Sequence, residues 1–316
     1  MEPILGDGRP LLLVVAGSLL FSGGFALFLA ATGEFLPHDI HYLGMSAANL
    51  CQIASCRIVE FMVHDRAAFG GTLAGLGVLY VWLTVFPLGN GEPWAWWVWL
   101  VSSTAGFASF LAYLGYGYLD TWHGAGTLLL LPVFVLGMVR ARGSLNGPLH
   151  AHRLWPPPGP AGARSSWTWG RALLLLGAAA TAIGGLTILW VGVGDTFVPE
   201  DLEFMELSAE QLRDINPRLV PLMAHDRAGF GGGVFTMGLT TLLCLWCAPP
   251  SRHLHQAVAL AGGVSLTAAL GVHAVVGYTD LAHLVPALGA ALMLVVGLAL
   301  ARRPVARHAG NVRHGR

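Results

Sequence analysis

Two histidine-containing blocks recur in the sequence: residues 64–71 read HDRAAFGG and residues 225–232 read HDRAGFGG. Each block brings an imidazole, a carboxylate and a guanidinium to the point where a polar segment enters a long apolar one. Ionisable side chains in such a place are typical of metal or cofactor ligands and of proton-transfer groups. The blocks therefore predict two related functional sites, one in each half of the chain.

A second pair of blocks follows about sixty residues later, with GYLDTWH at residues 117–123 and GYTDLAH at residues 277–283. Asp120 and Asp280 each stand three residues before the histidine that ends their block. Residues three apart share one face of a helix, so each carboxylate could fix the imidazole tautomer or join it as a metal ligand.

Upstream segments match as well, residues 36–39 with 198–201 and residues 46–50 with 208–212. Matched blocks in the same order indicate a duplicated unit, so we interpret the chain as two copies of one module. The spacing of Ser208 and Gln211 is that of a capping box and predicts a short helix there.

The composition is that of an integral membrane protein. Hydrophobic residues make up 55% of the chain and charged residues 11%, and the mean hydropathy is +0.63. Several segments reach the roughly 20 residues that cross a bilayer. We predict an all-α fold of eight membrane spans, arranged as two repeated four-helix bundles. The predicted spans are residues 11–32, 67–87, 94–115, 121–140, 171–193, 228–248, 257–277 and 283–301.

These spans divide the chain into four parts. The first module covers residues 1–150 with an outer loop at 33–63, and the second covers 171–301 with an outer loop at 194–224. A linker rich in proline and glycine joins them at residues 151–170, and residues 302–316 form a basic tail.

The arginines predict the orientation of the chain, which contains no lysine. They cluster near the linker and in the tail, and positively charged loops stay in the cytoplasm. Both termini are therefore expected on the cytoplasmic side of a multi-pass protein of the cell membrane. The lipid bilayer is the expected partner, and no nucleic-acid partner is expected.

In this topology His64, His123, His225 and His283 all lie at the outer ends of even-numbered spans. Each module then brings two imidazoles to one level from two helices, His64 with His123 and His225 with His283. This is the geometry of a bis-histidine haem site in a four-helix bundle.

Other reactive residues surround the first block only. Glu60 precedes His64 by four residues, and Cys51 and Cys56 precede Glu60 in the first outer loop. The cysteines could form a structural disulfide or a redox-active pair.

Arg66 and Arg227 follow the histidines of the two blocks. They could bind haem propionates or a lipid phosphate, or neutralise Asp65 and Asp226. The glycines that follow, Gly71, Gly75, Gly231, Gly232, Gly233 and Gly238, are typical of close helix packing.

The layout of spans, histidines, cysteines and Glu60 resembles haem A synthase, a membrane oxidoreductase that oxidises the methyl group of haem O. The resemblance implies that His64 and His123 ligate a substrate haem and that Glu60 is its acidic residue. It also implies that Cys51 and Cys56 are a redox pair, that His225 and His283 hold a b-type haem, and that a redox partner exists.

Three alternatives remain. The His and Asp residues of the blocks could bind an Fe or Zn ion in a membrane enzyme that hydrolyses or hydroxylates a lipid. Paired repeats with buried charges also occur in transporters. Finally, the charged residues of a non-catalytic membrane protein could cap its helices and seal its outer face.

Overall fold

A computed structural model describes residues 6–53, 55–109, 111, 118, 121–149 and 166–301, and these residues form twelve α-helices. Eight of the helices are long: α1 (Arg9–Thr32), α4 (Arg57–Val85), α5 (Pro93–Ser109), α6 (Thr121–Ala141), α7 (Ser166–Val193), α10 (Leu219–Cys247), α11 (Arg252–Val276) and α12 (Leu281–Ala301). Four are short: α2 (Pro37–Leu43), α3 (Ala47–Cys51), α8 (Pro199–Met205) and α9 (Ala209–Ile215). All the short helices lie at one end of the bundle, which we call the cap end.

Seven of the long helices are long and apolar enough to cross a membrane, so the chain is a multi-pass membrane protein. The remaining long helix, α5, has 17 residues. Part of the predicted third span lies outside the described residues, as do most of the linker and the basic tail.

Two predicted boundaries are wrong. α4 begins at Arg57 and α10 at Leu219, about ten residues before the predicted spans at 67 and 228. The polar residues of the two histidine-containing blocks have low hydropathy, so hydropathy alone predicts that they lie in loops. Their side chains are paired inside the protein, so the helices continue through them. His64 and His225 therefore lie about two turns inside their helices.

The cap helix α9 begins as the sequence predicts. The Ser208 hydroxyl accepts a hydrogen bond from the backbone N–H of Gln211, and the Gln211 side chain accepts one from the backbone N–H of Ser208. Ser46 and Asn49 form the same reciprocal pair at the start of α3. These bonds satisfy donors that a helix N-terminus leaves without partners.

The long helices of the two halves interleave. Within the described residues, α4 packs on α1 and on α11, and it contacts its sequence neighbour α5 much less. Likewise α10 packs on α7 and on α5 and barely touches α11, while α4 and α10 meet along the centre. The predicted arrangement of two separate four-helix bundles differs from these contacts.

Glycines allow the closest helix contacts, as predicted. A Cβ atom added to Gly238 of α10 would lie 2.3 Å from the backbone nitrogen of Ala182 in α7, and one added to Gly231 would lie 2.3 Å from that of Leu189. Gly75 similarly faces Ser265 of α11. The α7–α10 interface therefore has no room for a methyl group at these positions.

We expect Gly238→Ala to lower the free energy of unfolding by about 1–3 kcal/mol, because the new methyl group forces two backbones apart. Gly184→Ala is the matched control, since a Cβ atom there meets nothing within 4 Å. Thermal unfolding in detergent, followed by circular dichroism, measures both. Equal melting temperatures for the two variants would contradict the close contact.

Candidate metal centre

Three histidines from three helices meet at the cap end: His64 of α4, His273 of α11 and His283 of α12. One ligand atom from each lies within 4.8 Å of the others. His64 and His273 are buried and His283 is half-buried. We call this group the three-histidine cluster.

The tautomers of two of these rings follow from their hydrogen bonds. Nδ1 of His64 lies 3.1 Å from a carboxylate oxygen of Asp65, and Nδ1 of His273 lies 2.7 Å from the backbone carbonyl oxygen of Tyr278. A carboxylate paired with arginine and a carbonyl can only accept hydrogen bonds, so both Nδ1 atoms donate. In the neutral rings Nε2 then carries the free lone pair.

Tyr278 also determines the tautomer of the third ring, that of His283. The Tyr278 hydroxyl donates to Asp201 at 3.0 Å, and its oxygen lies 3.1 Å from Nδ1 of His283. Since the single hydroxyl proton is already used, the oxygen accepts from Nδ1–H of His283. Burial, and secondly the negative charge of Asp201, raise the pKa of the Tyr278 phenol, so it stays protonated. All three rings keep Nε2 available to a ligand.

The two buried Nε2 atoms face each other. Nε2 of His64 lies 3.0 Å from Nε2 of His273. If both rings are neutral, two lone pairs meet at this distance, and only a shared proton or a cation makes such a contact favourable. Two ligand nitrogens on a tetrahedral Zn²⁺ stand about 3.3 Å apart, given Zn–N bonds of about 2.0–2.1 Å. The observed separation is close to that value.

One arginine supports the carboxylates around the cluster. Nε of Arg227 lies 3.2 Å from Asp65, and its terminal nitrogens bind Asp201 and the carbonyl oxygen of Thr196. Arg227, Asp65 and Asp201 are buried, and the guanidinium also lies over the ring of Phe61. Arg227 thereby holds Asp65 on His64, and Asp201 on Tyr278.

A related network occupies the other half of the cap end. Arg66 pairs with Asp39 at 3.2 Å and with Asp226 at 3.7 Å, and the Tyr118 hydroxyl donates to Asp39 at 2.5 Å. Nε2 of His225 lies 3.4 Å from Nδ1 of His123. In the sequence, Tyr113 stands at the position that matches His273, and it lies outside the described residues.

The described histidine contacts cross between the halves. His64 meets His273 and His283 of the second half, and His225 meets His123 of the first. The prediction paired His64 with His123 and His225 with His283, whereas the contacts of the described residues join His64 to the second half and His225 to the first. The prediction assumed that neighbouring spans pack together, whereas α4 packs on α11.

The arginines also pair across the halves. One role predicted for Arg66 and Arg227 was to neutralise Asp65 and Asp226. The contacts confirm this role, since Arg227 binds Asp65 and Arg66 binds Asp226. Both guanidinium groups are committed to carboxylates. The predicted contacts to haem propionates or to a lipid phosphate would have to replace these ion pairs.

The predicted metal ligand Asp280 has another role. Its carboxylate accepts a hydrogen bond of 2.8 Å from the backbone N–H of His283, so it caps the start of α12 and is exposed. The Nδ1 atom of His283 meets Tyr278 instead. Asp120, the predicted ligand in the first half, lies outside the described residues.

The other predicted reactive residues lie near the start of α4. Cys51 and Cys56 form a disulfide, which links the end of α3 to the residue before α4. Glu60 is half-buried in the first turn of α4, about one turn before His64.

Sequence reasoning missed His273, Tyr278 and Asp201 as site residues. Only histidines that recur in both halves were predicted as ligands, and position 273 differs from its match at Tyr113. A usable signal was present: His273 stands in an apolar segment only five residues before the matched Tyr278. An intramembrane histidine found in one half alone was as informative as the repeated ones.

Comparison of the chain with protein-family models, with curated proteins and with solved structures found no match. The fold and the site themselves define the class, an all-helical multi-pass membrane protein with a three-histidine cluster at one end.

We expect Arg227→Met to lower the free energy of unfolding by about 3–5 kcal/mol, because it leaves the buried Asp65 and Asp201 without a counter-charge. Arg213→Met is the control, since Arg213 is exposed in α9. Thermal unfolding in detergent provides the measurement. The role given to Arg227 would be wrong if the two variants were equally stable.

Proposed function

We propose that the protein is a membrane metalloenzyme that binds a divalent transition-metal ion through His64, His273 and His283. The observation that carries the proposal is the facing pair of Nε2 atoms, 3.0 Å apart, on rings whose Nδ1 atoms are already bonded. Catalytic zinc sites use three protein ligands and keep one position open. Their histidines donate Nδ1–H to carboxylates or carbonyl groups, as His64 and His273 do.

The donor set favours Zn²⁺ over non-haem iron. Non-haem iron oxygenases use two histidines and a carboxylate, whereas the described cluster has three imidazoles. Asp65 is bonded to Nδ1 of His64 and to Arg227, so it acts on the cluster through the imidazole. A Zn²⁺ ion held in this way activates water near neutral pH, which makes hydrolysis the reaction class that we propose.

Hydrolysis of an acyl ester at this site requires no oxidant or reductant. The water oxygen forms a bond to the acyl carbon, the bond from that carbon to the alcohol oxygen breaks, and one proton of the water passes to the leaving alcohol. Of the residues described here, Asp65 and Tyr278 would keep the imidazoles oriented while this occurs.

A haem-binding oxidoreductase is the second candidate, favoured by the Cys51–Cys56 disulfide beside α4 in the position that the resemblance to haem A synthase implies. The histidine distances fit it less well. A haem plane must lie between its two axial nitrogens, and separations of 3.0 Å and 3.4 Å leave no space for one.

We further propose that the cap end faces the outside of the cell and that both termini are cytoplasmic. The disulfide lies at the cap end, and disulfides persist outside the cytoplasm. Arg140, Arg142, Arg171 and Arg252 all lie at the opposite end of their helices. The matching cap helices and crossed arginine pairs support a duplicated module.

Elemental analysis of the detergent-purified protein tests the metal site. We expect about one zinc ion per chain, and a loss of zinc affinity of at least about 10–100-fold in His273→Ala, because a lost ligand weakens the site at least as much as a lost outer partner. His253→Ala is the matched control, since His253 is exposed at the opposite end and stacks on Phe86.

The visible spectrum of the same sample distinguishes the two candidates. Zinc without a Soret band supports the metalloenzyme, and a Soret band that shifts on reduction supports the haem protein. Absence of both from a folded protein would mean that His64 and His273 share a proton, and the proposed metal site would then be wrong.

Asp65→Asn tests how the outer partner acts. We expect zinc affinity to fall by about 10–100-fold, because the amide is a weaker acceptor for Nδ1–H of His64. Isothermal titration with zinc, after removal of the bound ion, measures the change. The exposed Asp214 provides the control variant Asp214→Asn. Equal affinities for the two variants would exclude a role for Asp65 at the metal.

A further inference from the structure

We infer that the three-histidine cluster is reached from the lipid side of the protein, and that its substrate is an amphiphile of the adjoining membrane leaflet. This inference rests on the proposed metal site. It adds the route of access and the chemical class of the substrate, neither of which the metal site defines by itself.

The first observation is that the cap covers the cluster on the side of the aqueous phase. Phe204 of α8 stacks on Tyr278, with ring centroids 4.5 Å apart, and both side chains are buried. Phe61, Phe197 and Met205 belong to the same apolar layer. A water-soluble substrate would have to displace this layer to reach the histidines.

A cationic side chain holds the covering helix in place. Arg57 donates a hydrogen bond to the backbone carbonyl oxygen of Phe204 at 3.1 Å, and its guanidinium lies over the Phe204 ring. Arg227 binds Asp201 of the same helix from below. α8 is therefore attached on both sides, which closes the aqueous route.

The second observation is the depth of the cluster. α12 has 21 residues and a length of about 31 Å, which matches the roughly 30 Å hydrocarbon core of a bilayer. A helix of this length that lies along the membrane normal places its first residue, Leu281, at the edge of the hydrocarbon region. His283 follows two residues later, so the cluster lies just inside this boundary.

The third observation is that the cluster opens beside lipid-facing residues. His283 is half-buried, whereas His64 and His273 are buried, so the accessible part of the cluster is at α12. On the same face of α12, Pro286 follows His283 by three residues and is exposed, and Ala287 follows by four and is half-buried. Thr279 and Asp280 are exposed at the polar edge immediately above.

These neighbours favour an amphiphile. An acyl chain can lie along the face of α12 that carries Pro286 and Ala287 while a polar group stays level with Thr279 and Asp280. Arg227 is already paired with two buried carboxylates, so it is not available to bind the polar group of the substrate.

Chelators of different polarity test the route in zinc-loaded protein reconstituted into lipid nanodiscs. We expect membrane-soluble 1,10-phenanthroline to remove zinc at least about tenfold faster than disulfonated bathophenanthroline, because charged groups enter the hydrocarbon region reluctantly. Equal rates in the nanodisc would overturn the inference. Zinc content is measured first, so loss of the proposed metal site is recognised separately.

A matched pair of variants tests the position of the opening. Ala287 lies one turn after His283 on the same face of α12, and Ala291 lies one turn further; both are half-buried. We expect Ala287→Trp to slow zinc removal by 1,10-phenanthroline several-fold and Ala291→Trp to leave it unchanged. Equal rates for both variants would exclude access at α12.

A third variant tests the cap. Phe204→Ala removes the ring that covers Tyr278, and we expect it to accelerate zinc removal by the charged chelator while the rate for 1,10-phenanthroline changes little. Size-exclusion chromatography and melting temperature confirm that each variant is folded. A charged chelator that is as slow in Phe204→Ala as in the wild type would contradict the sealing role of the cap.

Discussion

The structure depends on one shared ion pair, in which Arg227 is held between Asp65 and Asp201. The three residues come from α10, α4 and α8, and all are buried. Any one of these charges alone would be costly near a membrane interior, so the three segments must meet in one arrangement. The ion pair thus fixes the register of the two central helices and attaches the cap to them. The ion pair also positions Asp65 and, through Asp201, Tyr278. These two residues orient the histidines.

The network of Arg66, Asp39 and Asp226 shows which features the two halves share and which occur in one half only. Arg66 repeats the arrangement with Asp39 and Asp226, and Tyr118 takes the place of Tyr278. Each arginine thus binds the aspartate that stands next to the other arginine in the sequence. This exchange joins α4 to α10 at the cap end. His273 has no histidine counterpart in the first half. A third imidazole therefore distinguishes the three-histidine cluster from the network around Arg66.

The sequence predicts the fold well for the helices whose positions follow from the length of an apolar segment. The long helices, the start of α9 and the packing role of Gly238 could all be inferred from hydropathy, capping and small-residue patterns. The starts of α4 and α10 could not, because hydropathy treats a paired buried charge as if it were exposed. Only the partner residues, distant in the sequence, reveal that the charge is compensated.

The candidate site was predicted in part for a related reason. His64 and His283 were predicted as candidate ligands, but their mutual contact was not predicted, because helix order along the chain does not define which helices are neighbours. For the same reason the sequence does not reveal the role of Asp201, which it places in an acidic loop. Tyr278 acts through its backbone carbonyl as well as its hydroxyl group, and residue type indicates only the second of these.

The crossing of the two halves has a consequence for biogenesis. His64 enters the membrane with α4, early in synthesis, while His283 arrives with α12, the last of the long helices. During the interval the polar residues of α4 have no final partners, and the nascent chain must keep them near the membrane surface or shield them. The insertion of α12, the last long helix of the described residues, therefore completes the three-histidine cluster, which can form only after both halves have entered the membrane.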